Sequence, residues 1–241
     1  MKRLITLIIL LISISAYAEN SIQPYENSFI VTGFNKQNQM IINLSLKWGL
    51  IYPFETGLYL TYEQKSKWNI YDRSSPFMEN NYSPGIIWQK DNILCLDFIR
   101  LIPYNHASNG MAGQESRSVD RGGLQIQKSW GDKFKFGINE RYYYYYALSS
   151  KNHNYDHYIG LFKSQVFISI DSKYQYMDSL KLYIQGEWTH RAYWIESALM
   201  TNIITGKFSM KFFAYYRRGY AQWMANYKDK TEYFGIGLGL Q

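Results

Sequence analysis

Apolar and polar residues alternate along most of this chain. Ile42, Leu44, Leu46 and Trp48 are separated by Asn43, Ser45 and Lys47. The same period of two runs through Leu58–Tyr62, Phe134–Ile138, Leu180–Trp188, Phe208–Phe212 and Phe234–Leu240. Successive side chains of a strand point to opposite faces, so this period predicts strands, and no comparable helical period occurs. Turn-forming clusters separate the runs, among them Asp72 to Pro76, Ser129 to Asp132, Asp178-Ser179 and Asn226 to Lys230. The spacing predicts about twelve strands near residues 28–35, 39–48, 56–69, 80–90, 92–107, 118–130, 133–147, 156–170, 178–190, 192–204, 207–221 and 231–241. Most are about ten residues long or more, the length a tilted strand needs to cross a bilayer. A soluble sandwich also alternates, but its strands run to about 5–6 residues. The expected fold is therefore all-β, a twelve-stranded antiparallel transmembrane β-barrel, whose even strand number closes without an exposed edge.

The first residues read differently. Lys2 and Arg3 precede the apolar run Leu4 to Ile14, and Ala16-Tyr17-Ala18 follows. This is the pattern of a secretory signal over residues 1–18, leaving a barrel domain over 19–241. The apolar run is too short to span a bilayer as a helix. With 24 Tyr, 7 Trp and 13 Phe, the chain has enough aromatics to form girdles at two water–lipid boundaries. The net charge of +7 comes from scattered Lys and Arg, so nucleic acid is not an expected partner. A single cysteine, Cys95, excludes an internal disulfide.

Candidate chemistry lies in the run Tyr104-Asn105-His106-Ala107-Ser108-Asn109-Gly110. His106 and Ser108 share a strand face. If the chain reverses about Gly113, Asp120 comes to lie across from His106. A base, a nucleophile and a carboxylate on one face of one hairpin are the parts required for acyl transfer by serine. Extending the stripe Leu94, Leu96, Phe98 gives Ile102, Tyr104, His106 and Ser108, and Asp120 shares parity with Leu124 and Ile126. All three candidates then face lipid, where an ester buried in a membrane can be reached. Arg100 breaks the stripe, and Pro103 implies a local irregularity. No Gly-x-Ser-x-Gly elbow is present, which argues against a soluble lipase. The run Tyr142 to Tyr146 carries no assigned chemistry.

Two blocks add a family resemblance. Asn105-His106-Ala107-Ser108-Asn109-Gly110 followed by Ser116-Arg117-Ser118-Val119-Asp120-Arg121 resembles the signature of outer-membrane phospholipase A. The second block, Gln64 to Trp68, Ser74 to Phe77 and Glu79 to Pro84, is similar to that family as well. The resemblance implies a calcium-dependent hydrolase of phospholipid acyl esters, with A1, A2 and lysophospholipase activity, in the outer membrane of a Gram-negative bacterium. Ser108 matches the nucleophile, His106 the base, and the Gly110 N–H the oxyanion donor. Asp120 stands where the family often has Asn. The implied calcium ligands are the Met111 carbonyl, the Ser116 side chain and Ser74 of a partner subunit. Gly113 stands where an acidic residue would add a further calcium ligand.

Gln64 continues the apolar stripe Leu58, Leu60, Tyr62. A polar amide aimed at lipid is costly unless paired. The resemblance implies pairing across a homodimer interface, and water at the headgroup level would serve equally. The alternative function is a non-enzymatic barrel, a pore or structural protein, with its lumen filled by side chains such as Lys133, Lys135, Gln185 and Glu187.

Overall fold

The computed structural model describes residues 22–33, 39–51, 56–148, 155–174, 177–188, 192–204 and 210–240. The expected signal, residues 1–18, lies outside them. The strands are β1 (Ile22–Pro24), β2 (Ser28–Gly33), β3 (Met40–Ile51), β4 (Thr56–Trp68), β5 (Phe77–Ile93), β6 (Leu96–Ser108), β7 (Ser118–Trp130), β8 (Phe134–Leu148), β9 (Phe162–Tyr174), β10 (Met177–Trp188), β11 (Tyr193–Ile204), β12 (Met210–Gly219) and β13 (Thr231–Leu240). Each pairs antiparallel with its chain neighbour from β2 to β13, and β13 pairs with β2 to close the ring. β1 and β2 lie end to end along β3, with Pro24 opposite Leu46 and Phe29 opposite Asn43. They are two pieces of one wall strand, so the barrel has twelve strands, as the sequence predicts.

Two expected boundaries move. The β5–β6 hairpin turns at Leu94-Cys95, not near residue 91 as strands at 80–90 and 92–107 would require, and Leu94 is 92% exposed with φ +55°. It therefore belongs to a turn rather than to the outer stripe. The segment expected from residue 156 becomes a strand only at Phe162. Before it, Tyr155–His157 forms a 3-10 turn whose Tyr155 is buried. Burying that ring outweighs continued pairing at the rim.

Polarity is arranged inside out. Leu60, Leu124, Ile184, Leu199, Phe212 and Leu238 are exposed on the outer wall. Gln89, Arg100, Gln125, Arg141, Glu196 and Arg217 are buried in the lumen. A wall that is apolar outside and polar inside is a membrane wall. No helix among the described residues is long and apolar enough to cross a membrane; the strands make the crossing.

The lumen is crossed by charge. Glu26, in the break between β1 and β2, accepts hydrogen bonds from Arg141 on β8 and Arg100 on β6. Gln125 accepts from the same two guanidiniums at 3.1 and 2.9 Å. A second centre is Glu196, which takes donors from Tyr215, Arg217, Tyr183 and Gln185. Buried charges need such partners to be tolerated. Gln185 joins this network as expected, whereas Lys133 is exposed in the β7–β8 turn and fills no lumen.

Antiparallel order puts the 69–76, 109–117 and 220–230 connections on one rim. The last of these folds inward. Trp223 is buried, with Lys65 Nζ 5.3 Å from its ring centroid, and the Ala225 N–H donates to Glu79. Met224 and Tyr227 join Tyr155, Ala107 and Val119 in a buried cluster. Ala107 lies between His106 and Ser108, and Val119 precedes Asp120. This plug therefore rests on the inner surface of the wall segment whose outer surface carries the candidate chemistry.

Candidate active site

Strand β6 does not hold one parity throughout. Phe98, Arg100 and Ile102 face inward: Arg100 is buried 4.2 Å from the Phe98 ring centroid, and Ile102 packs with Tyr25, Tyr59, Ile87 and Tyr143. Leu101 is exposed instead. The expected outward stripe through Phe98 and Ile102 is thus corrected. The register slips between Ile102 and Asn105 against β7, and again on the β5 side. Two residues, Pro103 and Tyr104, face the single residue Gly122. Proline has no N–H for the ladder, and a bulge re-aims the side chains beyond it. After the bulge Tyr104, His106 and Ser108 point outward, while Asn105 and Ala107 are buried.

The hairpin returns about Gly113, which has φ +66°. His106 pairs with Asp120, Ala107 with Val119 and Ser108 with Ser118. His106 Nδ1 and Asp120 Oδ1 are 2.7 Å apart, each side chain one-third exposed. The Tyr104 hydroxyl donates to the same Oδ1 at 2.7 Å. An ionised carboxylate only accepts, so Nδ1 carries a proton, and in the neutral imidazole Nε2 keeps its lone pair. Ser108 lies two positions further along the same face.

Beyond Ser108 the chain is held by Asn109, which is 2% exposed. Its Nδ2 donates to the Glu115 carbonyl at 2.8 Å. Its Oδ1 accepts from the Arg117 and Met111 N–H groups at 3.0 and 3.3 Å. One amide side chain thus braces both limbs of the 109–117 loop. Gly110 follows in the left-handed region, at φ +62°, and a Cβ there would lie 2.9 Å from Tyr82 Cε2. Backbone and space both call for glycine.

The remaining expected residues are more scattered. Met111 and Ser116 sit on the braced loop. Arg117 Nη1 holds the Gln114 and Ser116 carbonyls at 2.6 and 2.8 Å, which leaves the Met111 carbonyl and the Ser116 hydroxyl outside that bracing. Ser74 is exposed in the β4–β5 turn on the same rim. Among the described residues there is no group of three or more His, Cys, Asp or Glu able to hold a metal. Gln64 is paired within its own strand, accepting from the Tyr62 hydroxyl at 2.8 Å and donating to Ser66 Oγ at 3.0 Å.

Three contributors were not assigned roles from sequence. Tyr104 was legible only as a member of the stripe. Asn109 was part of a motif, with nothing to mark its side chain as buried. Tyr146, from the tyrosine run, donates to the Pro103 carbonyl at 2.7 Å.

Fold and site together define a membrane-spanning barrel with an imidazole, a carboxylate and a serine on its lipid-facing wall. The family model of phospholipase A1 matches residues 6–240, and the chain belongs to that family: it is a phospholipase. No curated protein sequence matches it. Among solved structures, outer membrane phospholipase A from Escherichia coli superposes with a TM-score of 0.77 at 20% identity, covering 92% of this chain and 99% of that one. The Salmonella typhi outer membrane phospholipase, described as a dimer with bound calcium, gives 0.77 at 18% identity over 94% and 96% of the two chains. An asparagine-to-alanine active-site mutant of the E. coli protein gives 0.74 at 20% identity, covering 91% of each chain. The barrel is of the outer-membrane kind.

Proposed function

We propose that Ser108, His106 and Asp120 hydrolyse phospholipid acyl esters from the lipid-facing side of the outer membrane, with calcium, in a homodimer. The observation that carries this reading is the 2.7 Å contact between His106 Nδ1 and Asp120 on the outer wall. His106 Nε2 takes the Ser108 proton as Oγ attacks the ester carbonyl. Asp120 holds the ring and stabilises the imidazolium. The Gly110 N–H receives the developing oxyanion; one such donor is worth about 2.7–4 kcal/mol. His106 then protonates the departing lipid alcohol, and the acyl-serine is released by water activated at the same Nε2.

Calcium is supported by the donor set and by the Salmonella relative described as binding it. The Met111 carbonyl and Ser116 hydroxyl are hard oxygen donors, which suit calcium, but neither is a carboxylate. With the Arg117 guanidinium beside them, they bind a cation weakly unless a partner adds oxygen, and Ser74 of a second subunit is the proposed donor. When bound, calcium supplies positive charge beside the developing oxyanion. The pairing of Gln64 with Tyr62 and Ser66 holds its amide ready to be exchanged for a partner's amide. Because His106, Ser108 and Asp120 stand on an outward-facing wall, the enzyme is proposed to cleave both acyl positions and the lyso product.

The lumen network argues against an open pore. The deciding experiment is fatty-acid release from mixed micelles by refolded protein. Ser108→Ala should abolish release while the barrel still folds. Full activity in that variant removes the reading.

A further inference from the structure

Asp120 Oδ1 receives two donors at the same distance, His106 Nδ1 and the Tyr104 hydroxyl, both at 2.7 Å. Tyr104 reaches this oxygen because of the bulge. Without the extra residue at Pro103-Tyr104, the stripe that carries Arg100 and Ile102 inward would carry Tyr104 and His106 inward too. The phenol is thus brought to the carboxylate by the same local irregularity that brings out the imidazole.

We propose that Tyr104 is a positioning residue for phospholipid hydrolysis, anchoring the Asp120 carboxylate so that His106 is held in its reactive orientation. This rests on the reading of His106, Ser108 and Asp120 as the reacting group. A carboxylate on a lipid-facing wall has few waters to solvate it, and an unpaired charge there is costly. Two donors on one oxygen fix its rotamer and concentrate the charge at the atom facing Nδ1. A hydrogen bond to a charged acceptor is worth about twice one to a neutral acceptor. The tyrosine therefore matters more beside the Asp of this chain than it would beside an amide.

The test is a double-mutant cycle on refolded full-length protein in mixed micelles with calcium: wild type, Tyr104→Phe, Asp120→Asn and the double variant. Phe removes one hydroxyl from an exposed ring, and folding is checked by the heat-dependent electrophoretic shift of a closed barrel. Tyr104→Phe should lower kcat about tenfold with KM within about twofold of wild type. In the Asp120→Asn background the same change should cost only about twofold. In protein with 15N-labelled histidine, the His106 Nδ1 proton should shift and exchange faster in Tyr104→Phe. An unchanged kcat, an equal loss in both backgrounds, a rise in KM alone, or an unmoved Nδ1 proton would each overturn the proposal. Ser108→Ala is run alongside: retained activity there ends the catalytic reading itself, whereas its loss leaves the Tyr104 result to stand or fall alone.

Discussion

The Tyr146 hydroxyl on β8 reaches over β7 to donate to the Pro103 carbonyl on β6, 2.7 Å away. It passes above Gly122, where a Cβ would lie 2.6 Å from this hydroxyl and 2.7 Å from that of Tyr144. The bulge at Pro103-Tyr104 interrupts the ladder there. In lipid no water replaces a missing partner, so a phenol from the next strand but one does so. The bulge aims His106 and Ser108 outward, and Tyr146 holds the bulge.

Tyr146→Phe is expected to lower activity by about two- to tenfold, the worth of one neutral hydrogen bond, and to lower the unfolding temperature in detergent. Tyr142→Phe, on the same exposed face but nearer the membrane middle, should change neither. Thermal scans and fatty-acid release on the three proteins measure this.

Gly110→Ala should cost more than its size suggests. The residue has φ +62°, and the added methyl would press on the Tyr82 ring. A left-handed alanine alone costs about 1 kcal/mol, and movement of the peptide withdraws the proposed oxyanion donor. We expect kcat to fall about a hundredfold with substrate binding little changed. Adding Tyr82→Ala removes the steric half of the problem and should recover part of the loss.

The interior plug can be weakened without touching the outer wall. Met224 is 6% exposed and packs with Ala107 and Val119. Met224→Ala should destabilise the barrel by about 2–3 kcal/mol. Because those contacts lie directly behind His106, Ser108 and Asp120, kcat should fall while KM stays constant. A stability loss with unchanged kcat would show that the plug only seals the rim.

Much of this was legible in the sequence, for a physical reason. Membrane strands alternate because lipid and lumen demand opposite polarity, so the strand count and the pairing of His106 with Asp120 followed from period and midpoint alone. The bulge was legible only as an irregularity at Pro103. Period-two logic carries through a strand but cannot count an inserted residue, which is why Phe98 and Ile102 were expected outside and lie inside. The roles of Asn109, Tyr104, Tyr146 and Met224 depend on contacts between strands or rim loops that no local pattern encodes. Leu94 misled because an apolar residue in a turn has the same letter as one in a stripe.

Replacing Asp120 tests what the carboxylate adds. Asn can still accept from His106 and from Tyr104, but it cannot stabilise an imidazolium by charge. Asp120→Asn should retain about a tenth of wild-type kcat, and Asp120→Ala, which leaves the ring unheld, about a thousandth. Similar losses in the two variants would mean that the charge, rather than the orientation of the ring, is the main contribution.

The shared calcium site makes a prediction that a self-contained site does not. Each site would take Ser108 and Ser116 from one subunit and Ser74 from the other. Ser74→Ala and Ser108→Ala dimers should both be nearly inactive, the first rescued in part by high calcium. Mixed before dimerisation, they form dimers in which the Ser74→Ala subunit keeps its own Ser108 and receives an intact Ser74 from its partner. Random pairing makes half the dimers mixed, each with one complete site, so activity should return to about a quarter of wild type, as twofold symmetry requires. If Ser74 instead acts within its own chain, mixing restores nothing. Fatty-acid release from the mixture, measured at limiting calcium, separates the two cases.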